Sequence, residues 1–407
     1  MHILVIPSWY PTKNNPVRGS FFRGQAHALK RAGHQVGVIV PQHRSLRLLR
    51  QAVWGWPHGL VHEDDDGIPT YSHHAWAWLP RIPYSNGHLW IRAGKRLFEQ
   101  YVADYGKPDV IHAHSALFAG VLAARLQRYY NLPYVITEHR STYMRGVIQF
   151  WESSLIKEAF AAAQARVVVS PQMGKVLETI YGETVHPWIW VPNMVDHNFQ
   201  PPNHRESHAP FLVRFLSIGL MVTEKGQADL LRAFADCFKG DHGVQLRLGG
   251  DGPLRHNLER LALEYGVQQQ VVFLGTLSRD QVLAEMQAAS VFVLPSHYET
   301  FGLVLIEALA CGKPVVATAC GGPESIVHPG NGLLVPPRDP RALGGALVQM
   351  RLTFTTYDPE SLRTDCLGRF GEQAVVARLD QVYRSVLRAW HGLGPGVERV
   401  HQALNTR

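Results

Sequence analysis

Ser290-Val291-Phe292-Val293-Leu294-Pro295-Ser296, followed closely by Glu299-Thr300-Phe301-Gly302-Leu303-Val304-Leu305-Ile306-Glu307, is the stretch on which the reading of this chain turns. The first run is apolar and closed by a proline, the pattern of a strand buried on both faces. The second predicts a loop carrying Glu299, then a helix reaching Ala310, with Glu307 about two turns inside it. A carboxylate within so apolar a helix is costly unless a hydrogen-bond donor meets it. A pair of sugar or ribose hydroxyls is one such donor. Read alone, the stretch also fits one loop glutamate and one solvated helix glutamate.

The same alternation of strand and helix extends outward. Downstream of Leu212, strands are expected at 213–218, 244–248, 271–274, 291–294, 314–317 and 332–335. Helices fall between them near 226–238, 253–265, 279–288, 302–310, 323–327 and 339–350. Upstream, strands are read at 2–6, 35–40, 109–113, 133–137, 166–170 and 188–191, with helices near 20–32, 87–104, 117–129, 147–163 and 171–180. Alternating elements of this kind build α/β domains with parallel sheets. The segment 196–210 contains Pro201, Pro202, Asn203 and Pro210 without periodicity and reads as a linker. The resulting division is a first domain over 1–195 and a second over 211–370. A helix over about 371–391 and a frayed tail over 392–407 follow.

A chain of 407 residues exceeds one ordinary core, so two domains are natural. No window offers eighteen uninterrupted apolar residues, and the start lacks a basic region ahead of a long apolar one. Neither a transmembrane span nor a secretory signal is read, and a cytoplasmic location is expected. Cys237, Cys311, Cys320 and Cys366 lack the spacing of a zinc knuckle or a disulfide scaffold. The formal charge of +7 suits phosphorylated small molecules, nucleic acid or an anionic membrane surface without choosing among them. No recognition-helix pattern or concentrated Lys/Arg tract supports nucleic acid as a partner. The histidines are scattered without a His-Glu-x-x-His. No Asp-x-Asp metal clamp is read, so neither a metal nor another cofactor is expected.

In open α/β sheets, ligands collect at the carboxyl ends of strands. The candidate residues all lie just after a predicted strand. Glu224-Lys225-Gly226 follows 213–218 and precedes a helix, where an ammonium suits a bound diphosphate or is merely solvated. Gly249-Gly250-Asp251-Gly252-Pro253 lets backbone approach a ligand. Phe273-Leu274-Gly275 and Gly321-Gly322-Pro323-Glu324 end two further strands. In the first domain, Ile111-His112-Ala113-His114-Ser115 and Thr137-Glu138-His139-Arg140 form two polar clusters at neighbouring strand ends. Between Pro41 and Leu60 no acidic residue occurs. If helical there, Leu46, Leu49, Val53 and Trp56 share a face beside Arg44, Arg47 and Arg50, with Trp54, Trp76 and Trp78 as added amphipathic rings. That suits an anionic membrane surface; the alternative is that the tryptophans pack on the first domain or form an acceptor pocket for a soluble substrate.

Together these motifs resemble the retaining, nucleotide-sugar-dependent glycosyltransferases with two Rossmann-like domains (the GT-B type), specifically the group 1, family 4 enzymes with a Glu-x7-Glu motif. The resemblance covers nearly the whole chain and is most specific over 295–324. It implies an α/β fold with parallel sheets facing across a deep cleft, and a last helix returning to the first domain. The implied reaction transfers a hexosyl group from a nucleoside diphosphate sugar, UDP favoured over GDP, to a hydroxyl of a glycan or lipid-linked saccharide, with no metal. It implies catalytic roles for His114, Glu299 and Lys225, with His114 touching the transferred sugar. The donor would meet Gly19, Gly219, Lys225, Gly250, Asp251, Gly275, Glu299, Thr300, Phe301, Gly302, Leu303 and Glu307, the last at the ribose. His139, Arg18 and Arg23 would lie on the acceptor side. One departure stands out: where family members carry a phosphate-binding arginine, this chain has Gly219-Leu220. A sugar-nucleotide epimerase of similar architecture and a basic nucleic-acid-binding protein are the alternatives.

Overall fold

The computed structural model describes residues 1–12, 19–46, 57–78, 85–182, 185, 187–202 and 212–392. The calls on Arg18, Arg47, Arg50, Trp54 and Trp56, like those on 203–210 and the tail after Gly392, lie outside the described residues. The chain divides into two compact units. The first holds Met1–Val169, Gly174–Val191 and the stretch from Val376; the second holds Ser170–Met173 and Pro192–Val375.

In the first unit the order is β1 (His2–Pro7), α1 (Ser20–Arg31), β2 (Gln35–Ser45), β3 (Gly59–Asp64), β4 (Pro69–Ala77), α2 (Ser85–Tyr105), β5 (Val110–His114), α3 (Val121–Tyr130), β6 (Tyr134–Glu138), α4 (Phe150–Ala162), β7 (Ala165–Val168), α5 (Pro171–Tyr181) and β8 (Ile189–Trp190). The sheet runs β3-β4-β2-β1-β5-β6-β7-β8. All its pairings are parallel except the β3–β4 hairpin. Ile3-Leu4-Val5-Ile6 and Val38-Ile39-Val40 are fully or almost fully buried, as strands covered on both faces require. The order reverses between β1 and β5, so the loops after these two strands are neighbours.

In the second unit the order is β9 (Val213–Ile218), α6 (Gln227–Phe238), β10 (Val244–Gly249), α7 (Arg255–Glu264), β11 (Val271–Gly275), α8 (Arg279–Ala288), β12 (Val291–Leu294), α9 (Leu303–Ala310), β13 (Val315–Thr318), β14 (Gly332–Val335), α10 (Pro340–Thr353), α11 (Pro359–Phe370) and α12 (Glu372–Gly392). Its sheet, β11-β10-β9-β12-β13-β14, reverses between β9 and β12. Phe215, Leu246, Leu248, Val291, Val293 and Val316 pack with Leu230, Leu231 and Phe234 of α6 in one core. Most of α12 belongs to the first unit: Asp380 meets His34 at 2.7 Å, and Tyr383 is fully buried.

Several expectations are corrected here. The β3–β4 hairpin and α11 went unread, and β2 continues to Ser45. Arg44 is therefore strand, not the start of an amphipathic helix; it pairs in register with Trp76. Its guanidinium donates to the Pro57 carbonyl and meets His74 Nδ1 at 3.0 Å. The main stretch of the second unit starts at Pro192 rather than at 211. Within the supposed linker, Phe199 is buried and the Val195 N–H donates to the Phe370 carbonyl of the same unit.

Candidate functional site

In the second unit the parallel strands deliver Gly219, Gly250, Asp251, Gly275 and Glu299 at their carboxyl ends, and Lys225 in a short 3-10 turn over Thr223–Lys225. Backbone bonds stitch the first three loops together: Gly219 N–H to Gly249 O, Met221 N–H to Asp251 O, and Gly250 N–H to Gly275 O at 2.7 Å. Gly250 sits at φ 116°, and a Cβ there would run into the Gly219 carbonyl. The loops can approach so closely because no side chain intervenes. Gly226, at φ 66°, likewise lies against the Pro295 carbonyl, which brings the start of α6 against the end of β12.

Lys225 Nζ consequently meets Glu299 Oε2 at 2.6 Å, at the point where the strand order reverses. Burial works against the Lys225 ammonium, but the Glu299 carboxylate outweighs it and the pKa is raised. Glu299 is tied by a backbone bridge to Gly321, and the Gly322 N–H donates to its carbonyl at 2.7 Å. Beyond it, α9 starts at Gly302 with no side-chain cap. An uncapped helix start leaves donors and a positive dipole end for an anion. Thr300, Gly302 and Leu303 lie along this start. The Phe301 ring is buried against Phe370 at 5.8 Å, which leaves its backbone N–H, the group expected to meet the donor, as what it can offer a ligand. Glu324 takes the Gly321 N–H with both oxygens.

Glu307 is the fifth residue of α9, a little over one turn in rather than two. It is buried, and the donor that meets it is a protein group: Arg279 Nη1 at 2.8 Å. Burial raises its pKa and the guanidinium opposes that rise. Arg279 also reaches Asp196 at 3.5 Å and lies over the Phe199 ring. Sequence reading missed Arg279, although a cation in the first turn of α8, just after the Ser278 cap, is unfavourable without a partner.

In the first unit, His114 ends β5 and is almost wholly buried. Its Nδ1 lies 3.1 Å from Nε2 of His139, which follows β6. Phe22 packs on both rings. His112, beside His114, is held by Thr137 Oγ1 at 2.7 Å and Tyr383 Oη at 2.6 Å. Burial pushes His112 and His139 down to about 3 and His114 well below its ordinary value, so all three imidazoles are neutral. His114 Nε2, His139 Nδ1 and Ser115 Oγ are buried without a hydrogen-bond partner. Gly19 begins α1 at φ 82°.

Arg23 is not available to an anionic donor or acceptor as expected: Asp65 takes its guanidinium in a fork at 2.5–2.9 Å, and Asp66 adds a contact. The metal expectation also needs amendment, because Asp64-Asp65-Asp66 does have Asp-x-Asp spacing. Among the described residues His27, Asp65 and Asp66 have atoms close enough to share an ion. Arg23 already supplies a cation there, and hydrogen bonds from His27 and Arg23 hold the Asp65 carboxyl well below its usual range against the cost of burial.

Comparison with known proteins bears on this geometry. Residues 20–199 match the model described as Glycosyltransferase Family 4, and residues 204–350 match Glycosyl transferases group 1. A D-inositol 3-phosphate glycosyltransferase 1 from Catenulispora acidiphila is 30% identical over 70% of this chain and 74% of its own. The chain belongs to the group 1, family 4 glycosyltransferases. A glycogen synthase from Mycobacterium tuberculosis is 28% identical over the full length of both chains. Among solved structures, Anabaena Alr3699/HepE in complex with UDP superimposes with a TM-score of 0.72 at 19% identity, covering 95% of this chain and all of that one. The architecture of this glycosyltransferase is GT-B, two Rossmann-like units with mainly parallel sheets. Among the described residues no helix is long and apolar enough to cross a membrane.

Proposed function

We propose that this glycosyltransferase moves a sugar from a nucleoside diphosphate sugar, a UDP-sugar in preference to a GDP-sugar, to a hydroxyl of a glycan or lipid-linked saccharide. The anomeric configuration is kept and no metal takes part. The Lys225–Glu299 pair beside the uncapped start of α9 carries this reading. An ammonium and first-turn N–H groups suit a diphosphate that gains charge as it leaves. Glu299 is within reach of whatever the phosphate carries, and Glu307 with Arg279 forms a polar pair suited to the ribose. The UDP complex of the Anabaena relative supports the choice of nucleotide.

Retention by double displacement needs a carboxylate nucleophile about 5 Å from its acid partner. Glu299, committed to Lys225, is a poor nucleophile, which favours attack on the face the donor leaves. In that step the acceptor oxygen bonds to the anomeric carbon as the carbon–phosphate oxygen bond breaks. The acceptor proton passes to the departing phosphate, and His114 holds a hydroxyl of the transferred sugar.

A thermal-shift screen of nucleotide sugars in EDTA, followed by NMR of the product, tests the reading. A UDP-sugar should stabilise the protein and the product should keep the donor's anomeric configuration. Absolute dependence on Mn²⁺, an inverted product, or an epimerised nucleotide formed without acceptor would overturn it. If the acceptor is lipid-linked, activity with the acceptor in anionic vesicles should exceed that with a water-soluble analogue.

A further inference from the structure

Glu138 is completely buried at the end of β6, yet no cation pairs with it among the described ion pairs. Four donors meet it instead. Its Oε1 accepts the N–H groups of His139 at 2.8 Å and Arg140 at 3.0 Å. Its Oε2 accepts the Ala116 N–H at 2.9 Å and the Tyr143 hydroxyl at 3.1 Å. One carboxylate thus joins the loop after β5 to the loop after β6. A buried carboxylate is tolerable only when its lone pairs are met in this way.

The loop it holds is strained. Ser115 has φ 72° and ψ 139°, and Phe118 has φ 66° and ψ −69°, conformations that side chains other than glycine rarely adopt. Ser115 directly follows His114, and the Glu138 bond falls on the next N–H. On the other side, the bond to the His139 N–H fixes the residue whose Nε2 meets His114 Nδ1. Since both imidazoles are neutral, one of these nitrogens carries the shared hydrogen and the other accepts it. The pair therefore turns one donor and one acceptor outward, at His114 Nε2 and His139 Nδ1, the two atoms left without partners.

We propose that Glu138 is a positioning residue for His114: it clamps the strained Ser115 turn on one side and His139 on the other, fixing the orientation and tautomer of the imidazole. The inference rests on the reading above only in giving His114 a sugar hydroxyl to hold. Glu138→Gln replaces one acceptor oxygen with an NH₂ that faces N–H donors. Transfer should fall roughly a hundredfold in kcat, about the loss of one well-placed catalytic donor, while the KM for donor stays within about twofold. Selective ¹⁵N-histidine NMR should show the His114 signals moving from a single tautomer to an exchanging mixture, a change that loss of bulk stability alone would not produce.

Ser115→Gly supplies the discriminating second variant, because glycine adopts φ 72° without strain. Added to Glu138→Gln it should recover at least a tenfold share of the lost kcat. If Glu138→Gln alone does not fold, the double variant is measured in its place, and its failure to fold would also count against the proposal. Unchanged kcat and an unchanged His114 tautomer in Glu138→Gln would overturn it. A wild-type protein that transfers no sugar overturns the functional reading instead, and the NMR comparison still decides the role of Glu138.

Discussion

The two units gather polar groups around the carboxyl ends of their strands, on the strands, loops and following helices, but with opposite chemistry. In the second unit the groups are charged and paired: Lys225 with Glu299, and Glu307 with Arg279. In the first they are neutral imidazoles packed together in the interior, His112, His114 and His139. Charged groups in a half-buried setting suit an ionic ligand such as a diphosphate. Neutral donors and acceptors suit hydroxyls, which a charge would not discriminate so well. On the proposed function, one topology serves two ligand classes through the side chains at its strand ends.

The largest expected difference between the units is in acid. His112, His114 and His139 have folded pKa values depressed by burial, so the unfolded chain binds protons first as pH falls below about 6.5. Their stabilising contribution is present above that pH and is lost progressively toward the folded values near 3. Each imidazole contributes about 1.4 kcal/mol per pH unit at most. Thermal melts from pH 7 to pH 5 should show a steep loss of stability, made shallower by His112→Gln or His139→Gln. A flat profile would break the contrast. Glu307 acts in the other direction: its raised pKa means that acidification does not cost its stability.

A smaller effect separates the two glutamates. Glu307→Gln removes the charge that Arg279 answers and should weaken donor binding by roughly 1.5–3 kcal/mol with little change in turnover. Glu299→Gln should mainly slow transfer. Steady-state kinetics divides the two. Unchanged donor affinity in the first and unchanged turnover in the second would remove both assignments.

The sequence made the sheet strands legible because they are buried on both faces and read as apolar runs; Val291–Leu294 and Gly332–Val335 fall where expected. The loops around Lys225 and Gly250 were legible through their glycines. Glu307 was marked by its cost in an apolar helix, but the donor that satisfies it was not, since Arg279 comes from another helix. The β3–β4 hairpin was hidden by His73, His74 and Trp76, whose side chains blur a period of two. Glu138 looked like one more polar residue, because its four donors lie on backbone that only the fold brings together.

On the proposed function, nucleotide recognition rests on the charges of the second unit, without metal, and not on the imidazoles of the first. Calorimetric titration of UDP in EDTA into wild type, Lys225→Ala and His114→Ala tests it most directly. Wild type and His114→Ala should bind with equal affinity, and Lys225→Ala roughly ten- to hundredfold more weakly, the worth of a charge-assisted contact. Undiminished binding in Lys225→Ala, or binding by wild type only after Mn²⁺ is added, would contradict it.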